Sequence, residues 1–103
     1  MKLEFKKDAL LNGINIVSKA IPSRTTMSIL ECVLIDANSG EIKLTGNDME
    51  LGIETKVEGS ILEHGKIALE AKLFYEIIRK LPDGETPVVI TSDDRFNTVI
   101  ECE

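Results

Sequence analysis

The chain has 103 residues, 43% of them hydrophobic, and a formal net charge of −6. That length suits one domain and is too short for two independent cores. The acid surplus runs against the basic balance usual in nucleic-acid binders, and with no Trp and 4% aromatics the interior must be built from Ile, Leu and Val.

Leu3-Glu4-Phe5-Lys6 alternates with period two and reads as a short strand. Asp8 then offers an N-cap carboxylate for a helix running to about Ala20. Leu10, Ile14, Val17 and Ile21 form one apolar stripe at i, i+4, i+7 and i+11, and Asn12, Asn15 and Lys19 lie on another face. Gly13 weakens this helix by about 1 kcal/mol relative to Ala; on the outside of a helix, a glycine also lets a neighbour approach closely. Pro22-Ser23-Arg24-Thr25-Thr26 is a polar breaker.

Strands are predicted next over residues 30–37, 41–45 and 51–57. Asn38-Ser39-Gly40 joins the first two as a hairpin turn, and Gly46-Asn47-Asp48 separates the second from the third. Residues 66–70 alternate as another strand. Residues 71–81 read as a second helix, with Leu73, Phe74, Ile77, Ile78 and Leu81 inward and Lys72, Tyr75, Glu76, Arg79 and Lys80 outward. Pro82-Asp83-Gly84 stops it. A last strand pair, 88–91 and 96–101, flanks the turn Ser92-Asp93-Asp94-Arg95. The pattern is a strand, helix and hairpin unit used twice. It predicts an α+β fold of antiparallel sheets with two helices gathered on one face.

Charge is split along this pattern. Residues 1–30 hold five Lys/Arg against two Asp/Glu, and residues 61–81 hold four against three. Residues 31–60 hold two against seven, and residues 82–103 one against six. Both helical segments are thus positive and both strand-and-turn segments negative. Helices sharing one face would make that face electropositive, although Lys favours helices and Asp favours turns in any protein.

No catalytic constellation is present. His64 stands alone in a surface turn, with nothing nearby to complete a triad or a metal set. Asp48 and Glu50 lack the remaining ligands and spacing of a calcium loop, and no phosphate-binding glycine motif occurs. Neither a cofactor nor a metal is expected. Cys32 and Cys102 are far apart in apolar runs and are expected as buried, reduced thiols. The charged N-terminus is not a signal peptide, and no apolar stretch nears the roughly 20 residues that span a bilayer. A cytosolic location follows by default.

Four blocks carry a resemblance: Asp8-Ala9-Leu10-Leu11, Arg24-Thr25-Thr26-Met27-Ser28-Ile29-Leu30, the run from Leu44 through Thr45-Gly46-Asn47-Asp48-Met49-Glu50 to Glu54, and Leu81-Pro82-Asp83-Gly84. In order and spacing the chain resembles the first domain of the bacterial DNA polymerase III beta clamp family, across essentially all of its length. The resemblance implies a non-catalytic processivity factor of a DNA-directed DNA polymerase. Three such domains per chain and two chains per ring would enclose duplex DNA, with helices lining the hole and sheets forming the outer wall.

It also implies sequence-nonspecific phosphate contacts. Arg24 falls on the position that reaches DNA, with Lys19, Lys72, Arg79 and Lys80 as further candidates by helix face, and Asn12 and Asn15 as neutral donors. Family members continue past the position of Glu103 with a strand pair and two more domains, the last of which meets the polymerase III subunits and the clamp loader. Residues 1–103 are therefore expected to be a single domain and a fragment of a three-domain chain that forms a homodimeric ring in the bacterial cytoplasm. A reading from a different class is an acidic α+β protein-interaction module whose sheet binds a basic partner.

Overall fold

The computed structural model describes residues 1–21, 31–47, 52–84, 86–95 and 97–102. Their elements run β1 (Lys2–Phe5), α1 (Lys7–Ser18), β2 (Cys32–Asp36), β3 (Ile42–Asn47), β4 (Gly52–Val57), β5 (Gly59–Glu63), β6 (Lys66–Glu70), α2 (Ala71–Arg79), β7 (Val88–Ser92) and β8 (Thr98–Glu101). The class is α+β. Among the described residues the strands form two four-stranded antiparallel sheets, ordered β5-β1-β7-β8 and β4-β3-β2-β6.

Alternation sorts the strand residues as period two requires. Leu3 and Phe5 point inward beside their β7 partners Ile90 and Val88. In the second sheet, Ile35 is flanked by Leu44 of β3 and Ile67 of β6, all buried. Each such side chain withdrawn from water stabilises the fold by about 1.5–3 kcal/mol. Together with Leu10, Ile14 and Val17 of α1 and Phe74 and Ile78 of α2, they make one core.

The two halves of the chain interlace. β2 follows α1 and pairs with β6, which precedes α2; β7 follows α2 and pairs with β1, which precedes α1. Each sheet thus takes strands from both halves. β4 passes to β5 through the single residue Glu58, which carries the chain from one sheet to the other.

Several details depart from the sequence pattern. β5 has no counterpart among the predicted strands, because its residues are exposed apart from half-buried Ile61 and leave no apolar alternation to read. α1 starts at Lys7 with Lys6 as its N-cap and without a side-chain capping bond. Asp8 instead sits in the first turn, where its charge still meets the positive end of the helix dipole. The Gly46-Asn47 separator continues β3, while Asp48 lies outside the described residues.

Gly13 faces the core rather than the exterior. A Cβ there would stand 2.6 Å from Val57 Cγ2 and 3.1 Å from Leu44 Cδ1. At Gly46 of β3, a Cβ would meet the Val17 carbonyl oxygen at 2.6 Å and Ile21 Cγ1 at 2.8 Å. The two glycines let α1 settle directly on β3 and β4.

The predicted inward face of α2 is too wide. Phe74 and Ile78 are buried and Leu81 is half-buried, but Leu73 is 57% and Ile77 37% exposed. Five apolar residues cover a broader arc than one packing face. The flank with Leu73 and Ile77 looks onto a shallow cleft shared with Leu69 of β6 and Ile100 of β8.

Cys32 and Cys102 form no disulfide and are half-buried, not fully buried. Burial pushes the Cys32 thiol up, and the charges of Glu70 and Glu31 add to the effect. No helix among the described residues is long and apolar enough to cross a membrane.

Candidate nucleic-acid interface

The two helices lie side by side and antiparallel, tied together at one end and parted by a groove at the other. Lys7, in the first turn of α1, reaches the far end of α2. Its Nζ donates to the Leu81 carbonyl oxygen at 2.7 Å and to Asp83 Oδ1 at 2.7 Å. A cation in the first turn opposes the dipole of its own helix, but here it sits against the negative end of its neighbour. Lys7 is only 7% exposed, so its charge is spent inside the fold. At the other end, Asn15 and Ser18 of α1 and Ala71, Lys72 and Tyr75 of α2 line an open groove of about 290 Å³.

That groove brings Lys72 and Asn15 onto one surface. Asn12, Asn15, Lys19, Lys72, Arg79 and Lys80 are all exposed. Positions 72, 76 and 79 share one face of α2 at i, i+4 and i+7. Lys19 and Lys80 are the C-cap residues of α1 and α2, where positive charge also suits the helix dipoles. Because the helices run in opposite directions, these two caps stand at opposite ends of the pair.

The surface is less positive than a residue count suggests. Arg79 Nη2 donates to Glu76 Oε2 at 2.7 Å. The hydrogen bond holds the Glu76 carboxyl below its ordinary range and raises Arg79 further. Glu31 and Glu70 line the same groove as Lys72. Arg24, the first candidate from the sequence, lies outside the described residues.

The structure therefore brings Lys72 and Asn15 together at one groove, leaves Arg79 two turns along α2, and sets Lys19 and Lys80 at the two ends. Sequence reasoning missed the burial of Lys7 and the neutralisation of Arg79. The second had a readable signal, since Glu and Arg three apart on a helix are neighbours. The first had none, because the partners of Lys7 are 74 and 76 residues away. His64 is exposed between β5 and β6, and among the described residues no group of three or more His, Cys, Asp or Glu could hold a metal ion.

Comparison with known proteins gives this helix pair its context. Residues 1–103 match the family model described as the DNA polymerase III beta subunit, N-terminal domain. The chain belongs to that family.

The beta sliding clamp of Staphylococcus epidermidis is 38% identical over 108 residues, covering 97% of this chain and 28% of the relative. That of Synechocystis is 37% identical over 95 residues, covering 90% and 24%. A solved chain from Eubacterium rectale, assigned to the DNA polymerase III beta subunit, superimposes with a TM-score of 0.96 at 63% identity, over 100% of this chain and 27% of its own. The Bacillus subtilis DNA polymerase sliding clamp gives 0.89 at 33% identity, over 98% and 28%. The chain thus spans little more than a quarter of the length of most of these relatives.

In this beta-subunit domain, two of the resembling blocks have structural work. Gly46, in the Leu44-Thr45-Gly46 run, makes room for the carboxyl end of α1. Leu81 and Asp83, in the Leu81-Pro82-Asp83-Gly84 block, are the two acceptors of Lys7. Asp48 to Leu51 of the longest block fall outside the described residues.

Proposed function

We propose that the chain is the first domain of a three-domain, ring-forming sliding clamp that encircles duplex DNA and tethers a replicative polymerase. The observation that carries this reading is the antiparallel helix pair with exposed cations, in a chain that matches the beta-subunit family over residues 1–103. Its role is non-catalytic and needs no cofactor. A contact that must slide should touch phosphates, avoid base edges and hold weakly, because retention comes from ring closure and not from affinity. Arg24, Lys72, Lys80 and Lys19 supply the attraction, with Arg79 on the same surface but offset by its pairing with Glu76. The acid-rich strand and turn segments discourage DNA from the outer surface.

Two copies of the three-domain chain close the ring in the bacterial cytoplasm, and further domains receive polymerase III subunits and the clamp loader. A ring would also account for exposed Leu73 and Ile77, an apolar patch of the kind that meets another protein surface.

The test is retention of the full-length protein on DNA. On a closed duplex circle it stays after loading, and linearising the circle releases it. The Arg24→Ala, Lys72→Ala double variant lowers loading and retention at low salt. Equal loss from circular and linear DNA would overturn the reading, and tighter binding to cationic peptides than to duplex would favour a protein-interaction module instead.

A further inference from the structure

The ion pair on the outward face of α2 sits where phosphate contact is wanted. Within its bounds α1 has one cation, Lys7, and that is buried, so the helix brings Asn12 and Asn15 to the surface but no positive charge of its own. α2 brings Lys72 and Arg79, with Glu76 between them on the same face. Glu76 and Arg79 are about half-exposed, 47% and 49%, and bound to each other at 2.7 Å.

An exposed pair of this kind is weak enough for a phosphate to displace the carboxylate. Displacement does not remove the charge, however. Glu76 stays within one helical turn of the contact and repels the next phosphate, so the pair adds no net charge in either arrangement.

Resting on the clamp reading, we propose that Glu76 is a tuning residue of the DNA-facing surface: it cancels Arg79 in place, leaving the helix pair attractive enough to centre a duplex and too weak to hold it. A lining residue that lowers affinity is useful only where retention is topological. In a protein that held DNA by adhesion, the same carboxylate would be a defect.

The experiment uses the full-length protein in four forms: wild type, Glu76→Gln, Glu76→Gln with Arg79→Gln, and Lys72→Gln as the reference. Gln keeps the size of Glu and one acceptor oxygen for Arg79, and removes the charge. Affinity for a short linear duplex is measured against salt by fluorescence anisotropy, and diffusion of the loaded ring is followed on single DNA molecules.

Glu76→Gln is expected to tighten binding several-fold at low salt, to steepen the plot of log affinity against log salt by about 0.9, equivalent to one added phosphate contact, and to slow diffusion. The double variant returns to the wild-type slope. If Glu76→Gln leaves the slope unchanged while Lys72→Gln lowers it by about 0.9, the surface faces DNA but Glu76 does not tune it. If neither variant changes the slope, the DNA-facing assignment of α2 falls with the proposal.

Discussion

Replacing Lys7 with Met tests how the two helices are held together. Met keeps most of the volume of the buried aliphatic stem and removes both donor contacts, so the change isolates the polar interactions from packing. At Leu81, the loss is a charge-assisted bond to a part-buried carbonyl at a helix terminus, a class of contact that contributes about 1.5–3 kcal/mol. At Asp83, the loss is small. That carboxylate is 89% exposed and rehydrates freely, and exposed pairs contribute about 0–1 kcal/mol. Met also relieves the desolvation of a buried ammonium, which pulls the total toward the lower end of the range.

Lys7→Met should therefore destabilise the domain by about 1.5–2.5 kcal/mol, and Asp83→Asn by less than about 1 kcal/mol. Urea denaturation of the chain, followed by circular dichroism, measures both, provided the slopes match. At about 4–8 °C per kcal/mol for a domain of this size, the thermal midpoint of Lys7→Met falls by roughly 6–20 °C. If Asp83→Asn costs as much as Lys7→Met, the exposed ion pair joins the helices and not the carbonyl contact. If Lys7→Met is neutral, the strut has no energetic role.

Gly46→Ala forces a Cβ to 2.6 Å from a backbone oxygen that cannot turn away, and should cost about 1–3 kcal/mol by overpacking. Gly13→Ala meets a side-chain methyl of Val57 at the same distance but gains about 1 kcal/mol of helix propensity, so its net loss should be smaller; the reverse order in denaturation would refute the close-approach account. Asp93 accepts hydrogen bonds from the Asn97 backbone and side chain and from the Arg95 backbone, which hold its carboxyl below the ordinary 3.8. A depressed folded-state value means that its support of the β7–β8 turn is fully present above pH 3.8 and is lost as pH falls through the folded value. A carboxyl titration by NMR should show this, and a midpoint at or above 3.8 would contradict it.

Both helices and most strands were legible because burial imposes period. The stripe of Leu10, Ile14 and Val17 and the alternation of Leu3 and Phe5 each follow from one wet face and one dry one. β5 was illegible for the same reason reversed: exposed along nearly its whole length, it is held by main-chain pairing to β1, which leaves no mark on residue type. The interlaced pairing was beyond reach too, since β1 and β7 stand more than 80 residues apart and neither side chains nor turns encode that contact. In α2, hydrophobicity alone could not separate Phe74 and Ile78, which pack, from Leu73 and Ile77, which do not.

The candidate surface was legible in its residues but not in its charge. The sequence assigns residues 1–30 a surplus of three positive charges, and reading that surplus as the charge of a helix face is where inference from segments fails. Lys2 belongs to β1, and Lys7 is turned inward to close the end of α2. What remains exposed among the described residues is Lys6 and Lys19, the two caps of α1, while Arg24 lies outside them. On α2, Glu76 halves the contribution of Lys72 and Arg79. A surface built this way differs in kind from a DNA-binding patch with the same lysine count. Its cations are spaced, set at helix caps or cancelled, so under the proposed clamp reading a duplex would meet a shallow potential with no deep well in which to stop.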